Sequence, residues 1–196
     1  MCVQLAKRSI VWVKEDGRGA EFAEVLIGHG RLTAVGTAFG LTPYPYRLDY
    51  KLETMNGFVT SGLLIEAVGQ GWSRKLDLRR LRSGKWTARP GGALSGLGES
   101  VDCDLAWSPL TNSMPVLRHG LLTGGGPIEF VMAWVSVPDL TVHASAQRYT
   151  FVRRDGDHSI VRYESASRDF VADLVFDSDG LVISYPGIGQ TPPPPG

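Results

Sequence analysis

Asp102 and Asp104, in the stretch VDCDL, are the residues in this chain whose types and spacing most suggest chemistry. Val101, Cys103 and Leu105 alternate with them, which is the period-2 pattern of a half-buried strand. Both carboxylates therefore share one face, roughly 6.5–7 Å apart, and can reach one small ligand without sharing a proton. A glycoside hydrolase uses two carboxylates, but they must flank the scissile bond, and neighbours on one strand point in parallel. A metal site would recruit histidines, yet His29, His119, His143 and His158 have no paired spacing. No metal and no cofactor is therefore expected. Two uses remain, accepting hydrogen bonds from hydroxyls and pairing with Arg118, beside the plainer reading of a solvated polar strand face.

The segment that must position these aspartates follows directly, as SPLTNSMPVLRH. Pro109 cannot join a sheet ladder, Thr111 or Asn112 can cap a helix, and Pro115 is tolerated only in a helix's first turn. The spacing predicts a strand running into one short helix that ends near Arg118 and His119. Asp102, Asp104, Thr111, Asn112 and Arg118 are thereby gathered at one corner. A carboxylate facing inward needs a cation or several donors, so Asp102 and Arg118 are predicted partners.

Around this corner the chain reads as strands. Segments 9–14, 21–27, 31–39, 46–53, 58–67, 72–79, 85–88, 128–137, 147–153, 159–164, 170–176 and 181–185 are alternating, β-branched or aromatic. Hairpin dipeptides separate many of them: Asp16-Gly17, Asn56-Gly57, Ser83-Gly84, Asp155-Gly156 and Asp179-Gly180. No long 3.6-residue apolar stripe occurs, and residues 61–66 are the only other, weaker helical option. This argues a mostly β fold, a largely antiparallel many-stranded sheet that curls or closes. Residues 1–189 are expected to form one domain, and 190–196, QTPPPPG, an extended Pro-rich tail.

Composition limits the function classes. The 196 residues carry 20 basic and 20 acidic side chains, so the net charge is zero and nucleic acid is an unexpected partner. No apolar run is long enough for a membrane span and no signal peptide is legible, which points to the cytoplasm. Cys2 lacks the apolar leader of a lipidated cysteine, and Cys103 reads as a core residue. The basic run Arg74, Lys75, Arg79, Arg80 and Arg82 reads as a solvated sheet edge. Gly124-Gly125-Gly126 lacks the ending of a phosphate loop, and no G-x-S-x-G elbow is present. In the last third, Gln147 and Tyr149 share one strand face, Arg162 and Glu164 another, and Tyr185 precedes Pro186-Gly187. Glutamine and tyrosine beside apolar wall is the mixture a ligand cavity needs.

The succession DCDL, SPLTNSMPVLR, a strand ending in VP, QRYTF, VRYES and DFVADLVFDSDGLVISYPG resembles a glycolipid-binding family once catalogued as a domain of unknown function. The resemblance implies a spiral β-roll, a strongly curved sheet wrapped around a single α-helix, with a funnel-like pocket for a lipid-like ligand. It places Asp102, Asp104, Thr111, Asn112 and Arg118 near the funnel and Gln147, Tyr149, Tyr163 and Tyr185 around it. Where the family has paired arginines this chain has Arg118-His119, and Met114 stands for the usual leucine. The reading is non-catalytic binding of a small amphipathic ligand, with a homodimer left open. The alternatives are a hydrolase using Asp102 and Asp104, and a structural module with no ligand.

Overall fold

The computed structural model describes residues 5–193, so Cys2 and the last prolines of the tail lie outside the described residues. Eight strands form a meander: β1 (Ala6–Val13), β2 (Gly19–Gly28), β3 (Arg31–Gly40), β4 (Tyr46–Met55), β5 (Val59–Gly69), β6 (Trp72–Arg80), β7 (Trp86–Arg89) and β8 (Gly92–Leu94). Next come β9 (Asp102–Leu105), a 3-10 turn (Leu110–Asn112) and the helix α1 (Ser113–Arg118). The last strands are β10 (Ile128–Val135), β11 (Val142–Asp155), β12 (His158–Ser165), β13 (Phe170–Phe176), β14 (Val182–Tyr185) and β15 (Gly189–Gln190). Residues 61–66, the weaker helical option, lie inside β5, where inward Leu63 and Ile65 follow the period of a strand. Of the basic run, Arg79 lies between β5 and β7 and Arg80 pairs with β7, whereas Arg74 and Lys75 lie on the part of β6 that pairs with β5 alone and so keep the edge position.

All fifteen strands belong to one open sheet, in the order β8-β7-β6-β5-β4-β3-β2-β1-β15-β14-β13-β12-β11-β10-β9. Every pairing is antiparallel except that of β9 with β10. Thus β9, which follows β8 in sequence, sits at the opposite end of the sheet. That end is rolled back against the first half: Thr60 N donates to Val101 O at 3.0 Å, and Cys103 N donates to Thr60 Oγ1 at 3.0 Å. The two halves meet where Val13 pairs with Gln190. Trp12 Nε1 reinforces this join by donating to Val182 O at 2.6 Å, as does Arg8 through Asp177 and Asp179.

The helix sits between two apolar clusters. Leu110 and Met114 enter the larger one, with Trp12, Leu48, Leu52, Leu63 and Leu78. Val116 and Leu121 enter the smaller, with Tyr149, Tyr163, Leu174 and Phe176. The curved architecture around a single α-helix is thus observed among the described residues. No helix among them is long and apolar enough to cross a membrane.

One inward position of the first half breaks the apolar rule. Glu21 lies on β2 in phase with Ala23, Val25 and Ile27, while Phe22 points outward. Its Oε1 accepts from Tyr50 Oη at 2.6 Å, a bond that passes over β3 at Gly36. A Cβ at Gly36 would come within 2.4 Å of the Tyr50 ring, so only glycine leaves that path open. Burial pushes the Glu21 carboxyl from 4.5 up to about 7, against the lowering effect of its bonds from Tyr50 and Ser108 and of Lys14. A carboxyl raised on folding contributes stability that is fully present below the unfolded value and is lost as pH rises through about 7. Glu21→Gln should therefore gain on the parent protein by about 3 kcal/mol between about pH 4 and pH 8. Urea denaturation across that range checks it, and parallel stability profiles would contradict it.

Candidate functional site

Strand β9 is buried on both faces, not half-buried as its alternation suggests. Cys103 and Leu105 face the larger apolar cluster, together with Ala133 and Val135 of β10. Asp102 and Asp104 face the other way, onto the inner surface of β10–β13. Cross-strand partners share a face. Asp102 pairs with Met132 and Asp104 with Trp134, while Phe130 pairs with Gln147, Tyr149 with Tyr163, and Tyr163 with Ala172. The solvated-face reading of the two aspartates is therefore overturned, since Asp102 is fully buried and Asp104 is 7 % exposed.

The predicted ion pair is present. Arg118 reaches Asp102 with both terminal nitrogens, Nη1 donating to Oδ1 at 2.6 Å and Nη2 donating to Oδ2. Burial pushes the Asp102 carboxyl up, and the hydrogen bond and charge of Arg118 oppose that shift. Asp104 has a different set of partners. Its Oδ2 accepts from Gln147 Nε2 at 2.7 Å, and its Oδ1 from Thr111 Oγ1 at 3.0 Å. Burial also raises the Asp104 carboxyl, opposed first by the charge of Arg168, whose Nη2 lies 3.7 Å from Oδ2.

The helix cap expected at Thr111 or Asn112 does not form. The 3-10 turn runs straight into α1, and Asn112 has helical dihedrals with no side-chain capping bond. With no half-extended residue at the junction, both side chains are free for tertiary contacts. Thr111 serves Asp104, and Asn112 Oδ1 accepts from Tyr149 Oη at 2.7 Å. Tyr149 Oη lies 3.2 Å from Gln147 Oε1, which joins the corner to β11. From there a chain of rings crosses the inner face: His119, Phe130, Tyr149 and Tyr163 stand 5.2–5.9 Å apart, and Tyr163 touches Phe170 and Tyr185. Burial raises the hydroxyls of Tyr149, Tyr163 and Tyr185, which keeps them neutral donors.

Arg168 is the residue that sequence reasoning missed. It lies in a 3-10 turn (Ala166–Arg168), where ASRD reads only as polar turn. Its Nε donates to Ser165 Oγ at 3.1 Å and its Nη2 donates to Tyr163 Oη. The guanidinium also lies 5.4 Å from the Trp134 ring centroid. The Trp134 Nε1 donor beneath it is buried with no hydrogen-bond partner among the described residues.

Outside this network, a cavity of about 490 Å³ opens where the ends of β10, β12 and β13 meet the middle of β11. Phe130, Val131, Ala146, Ala166, Phe170 and Val171 give it apolar walls, and Glu129, Arg148, Glu164 and Asp169 a charged rim. Gln147 and Ser165 are its polar contacts with the interior. Of the nine sequence-predicted residues only Gln147 lines the cavity; the other eight form the packed corner and aromatic face behind it.

No group of three or more His, Cys, Asp or Glu among the described residues is arranged to hold a metal ion. The model of the family described as "Putative glycolipid-binding" matches residues 9–191. The chain is also similar to a DUF1089 family protein from Pseudomonas aeruginosa known from a crystal structure. The two are 29% identical, with a TM-score of 0.70, over 87% of this chain and 91% of that one. No curated protein shows a significant match.

Removing one partner of a buried pair leaves the other charge uncompensated. Arg118→Ala should cost about 3–5 kcal/mol, whereas the double replacement Asp102→Leu with Arg118→Met should recover most of that loss. Thermal melts of the single and double variants check this, and equal midpoints for parent and Arg118→Ala would show that the pair contributes nothing.

Proposed function

Because the chain belongs to the Putative glycolipid-binding family, we propose that it binds a small amphipathic ligand, with a glycolipid as the fitting class, and does not turn it over. The observation that carries this reading is the cavity with walls of Phe130, Val131, Phe170 and Val171 and a floor at Gln147. Its volume of about 490 Å³ falls in the range of small-molecule sites. A polar head group entering first would meet Gln147 and Ser165 and, behind them, the Asp104–Arg168 pair. The apolar portion would lie against the two phenylalanines nearer the mouth.

A hydrolase that uses Asp102 and Asp104 is disfavoured by the positions of those two carboxylates. Neither Asp102 nor Asp104 lines the cavity, and both oxygens of Asp102 are taken by Arg118. A carboxylate that protonates or attacks a glycosidic bond must touch the substrate. A purely structural role for the network is disfavoured by the open, apolar-walled cavity at its edge, since a filled interior would leave none.

Titration with alkyl glycosides of increasing chain length tests the proposal. Each added methylene that is buried should tighten binding about fourfold, from about 0.8 kcal/mol per methylene. Phe170→Ala should flatten that slope, and Arg168→Gln should change which head group is preferred while leaving the slope intact. Absence of binding by every glycoside and matched fatty acid would end the proposal, and release of free sugar would replace it with hydrolysis.

A further inference from the structure

The corner that follows β9 carries polar contacts on two sides. Thr111 serves Asp104 on one, and on the other Ser108 Oγ donates to Glu21 Oε1 at 2.8 Å. Between them Trp107 stands at the surface, 46% exposed, with φ 65°, a left-handed conformation rarely held by a bulky residue. Such strain gathers at ligand sites. Lys14 Nζ lies 5.5 Å from the Trp107 ring centroid and donates to Tyr46 Oη at 3.0 Å.

Two spaces meet at this tryptophan. Beside it a recess of about 10 Å³ is lined by Lys14, Glu21, Tyr46, Leu105, Trp107 and Ser108. That is room for a single hydroxyl-sized group. Glu21 is 3% exposed, and its Oε2 has no hydrogen-bond partner among the described residues. In front, an open cleft of about 440 Å³ shares Lys14 and Trp107 with the recess. Leu41 and Ile188 extend its apolar side, and Glu15, Asp16, Arg18 and Thr42 its polar side. Glu15 Oε2 accepts from Gly187 N at 2.9 Å, and Asp16 Oδ1 from Arg18 N at 2.8 Å, which holds both carboxylates in place.

The charges of this cleft cancel, with Lys14 and Arg18 against Glu15 and Asp16, so neither an anion nor a cation is selected. What it offers is an exposed indole face, donors and acceptors in alternation around it, and a buried carboxylate oxygen that lacks a donor. A neutral polyhydroxylated ring meets all three: its C–H face covers the indole, and its hydroxyls exchange hydrogen bonds with the charged groups. We propose that this cleft is a second site, which binds a neutral sugar ring stacked on Trp107 with one hydroxyl donating to Glu21 Oε2. It is separate from the cavity at Phe130 and Phe170 and does not rest on the amphiphile reading.

The probes are methyl β-glucoside, methyl β-galactoside and methyl α-mannoside, followed by amide and indole resonances of the whole chain. At least one should give a saturable shift of the Trp107 indole and of the Gly187 and Ile188 amides. Trp107→Gly, which suits the left-handed backbone and so preserves the fold, should abolish the amide shifts. At pH 8, where the Glu21 carboxyl is mostly ionised, Glu21→Gln should weaken binding about tenfold, the loss expected for a hydrogen bond to a charged acceptor. Arg168→Gln, at the other site, should leave it unchanged. An octyl chain on the same sugar that tightens binding here identifies a lipid-borne head group as the source, and equal affinity identifies free sugar. No saturable shift with any of the three glycosides, or amide shifts that survive Trp107→Gly, would overturn the proposal.

Discussion

Two carboxylates on a strand with no solvated face are the constraint around which the molecule is arranged. A charge taken out of water must find donors and countercharge. Asp102 finds Arg118, so the last turn of α1 must lie against β9. Asp104 finds Gln147, Thr111 and Arg168, which fixes β11, the 3-10 turn and the distant turn before β13 around the same point. Cys103 and Leu105 on the reverse side tie the strand to the first half of the sheet through the larger core. The inner face of the second half and the core of the first are therefore two sides of four residues.

The cavity draws on both faces of these strands. Phe130, Gln147, Ser165 and Phe170 reach it from the inner face, and Val131, Ala146 and Val171 from the outer one. The charged rim beyond them belongs to the outward-facing positions Glu129, Arg148 and Glu164, which already pair with one another. The aromatic chain from His119 to Tyr185 supports the walls, its neutral hydroxyls carrying hydrogen bonds without adding charge.

Much of the fold was legible because its strands are short, alternating and separated by turn dipeptides, and because one corner alone carried the proline and capping signals of a helix. The Asp102–Arg118 pair was legible for the same local reason, as strand and helix adjoin in sequence. Burial on both faces of β9 was not. Alternation tells which residues share a side, but what covers each side depends on where the sheet rolls. The caps at Thr111 and Asn112 failed because a 3-10 turn replaced the extended residue that a cap requires. Arg168 carried no readable signal, since its partner Asp104 lies far away in the chain. Glu21 did carry one: in GAEFAEVLIG the glutamate occupies the apolar phase and Phe22 the polar one.

An open sheet of fifteen strands has two free edges, each a template on which another chain could add a strand. Neither is available for that here. The edge at β9 lies inside the roll, and its outward amides are occupied by threonine hydroxyls: Cys103 N donates to Thr60 Oγ1 and Leu105 N to Thr111 Oγ1. The edge at β8 is three residues long, and Pro90 and Gly91 precede it. Phe22, Leu26, Val35, Phe39 and Leu64 are exposed, yet they lie on interior strands whose ladders are complete on both sides. At the β9 edge Thr60 and Thr111 therefore act as stoppers: each seals a backbone donor that would otherwise invite a sixteenth strand.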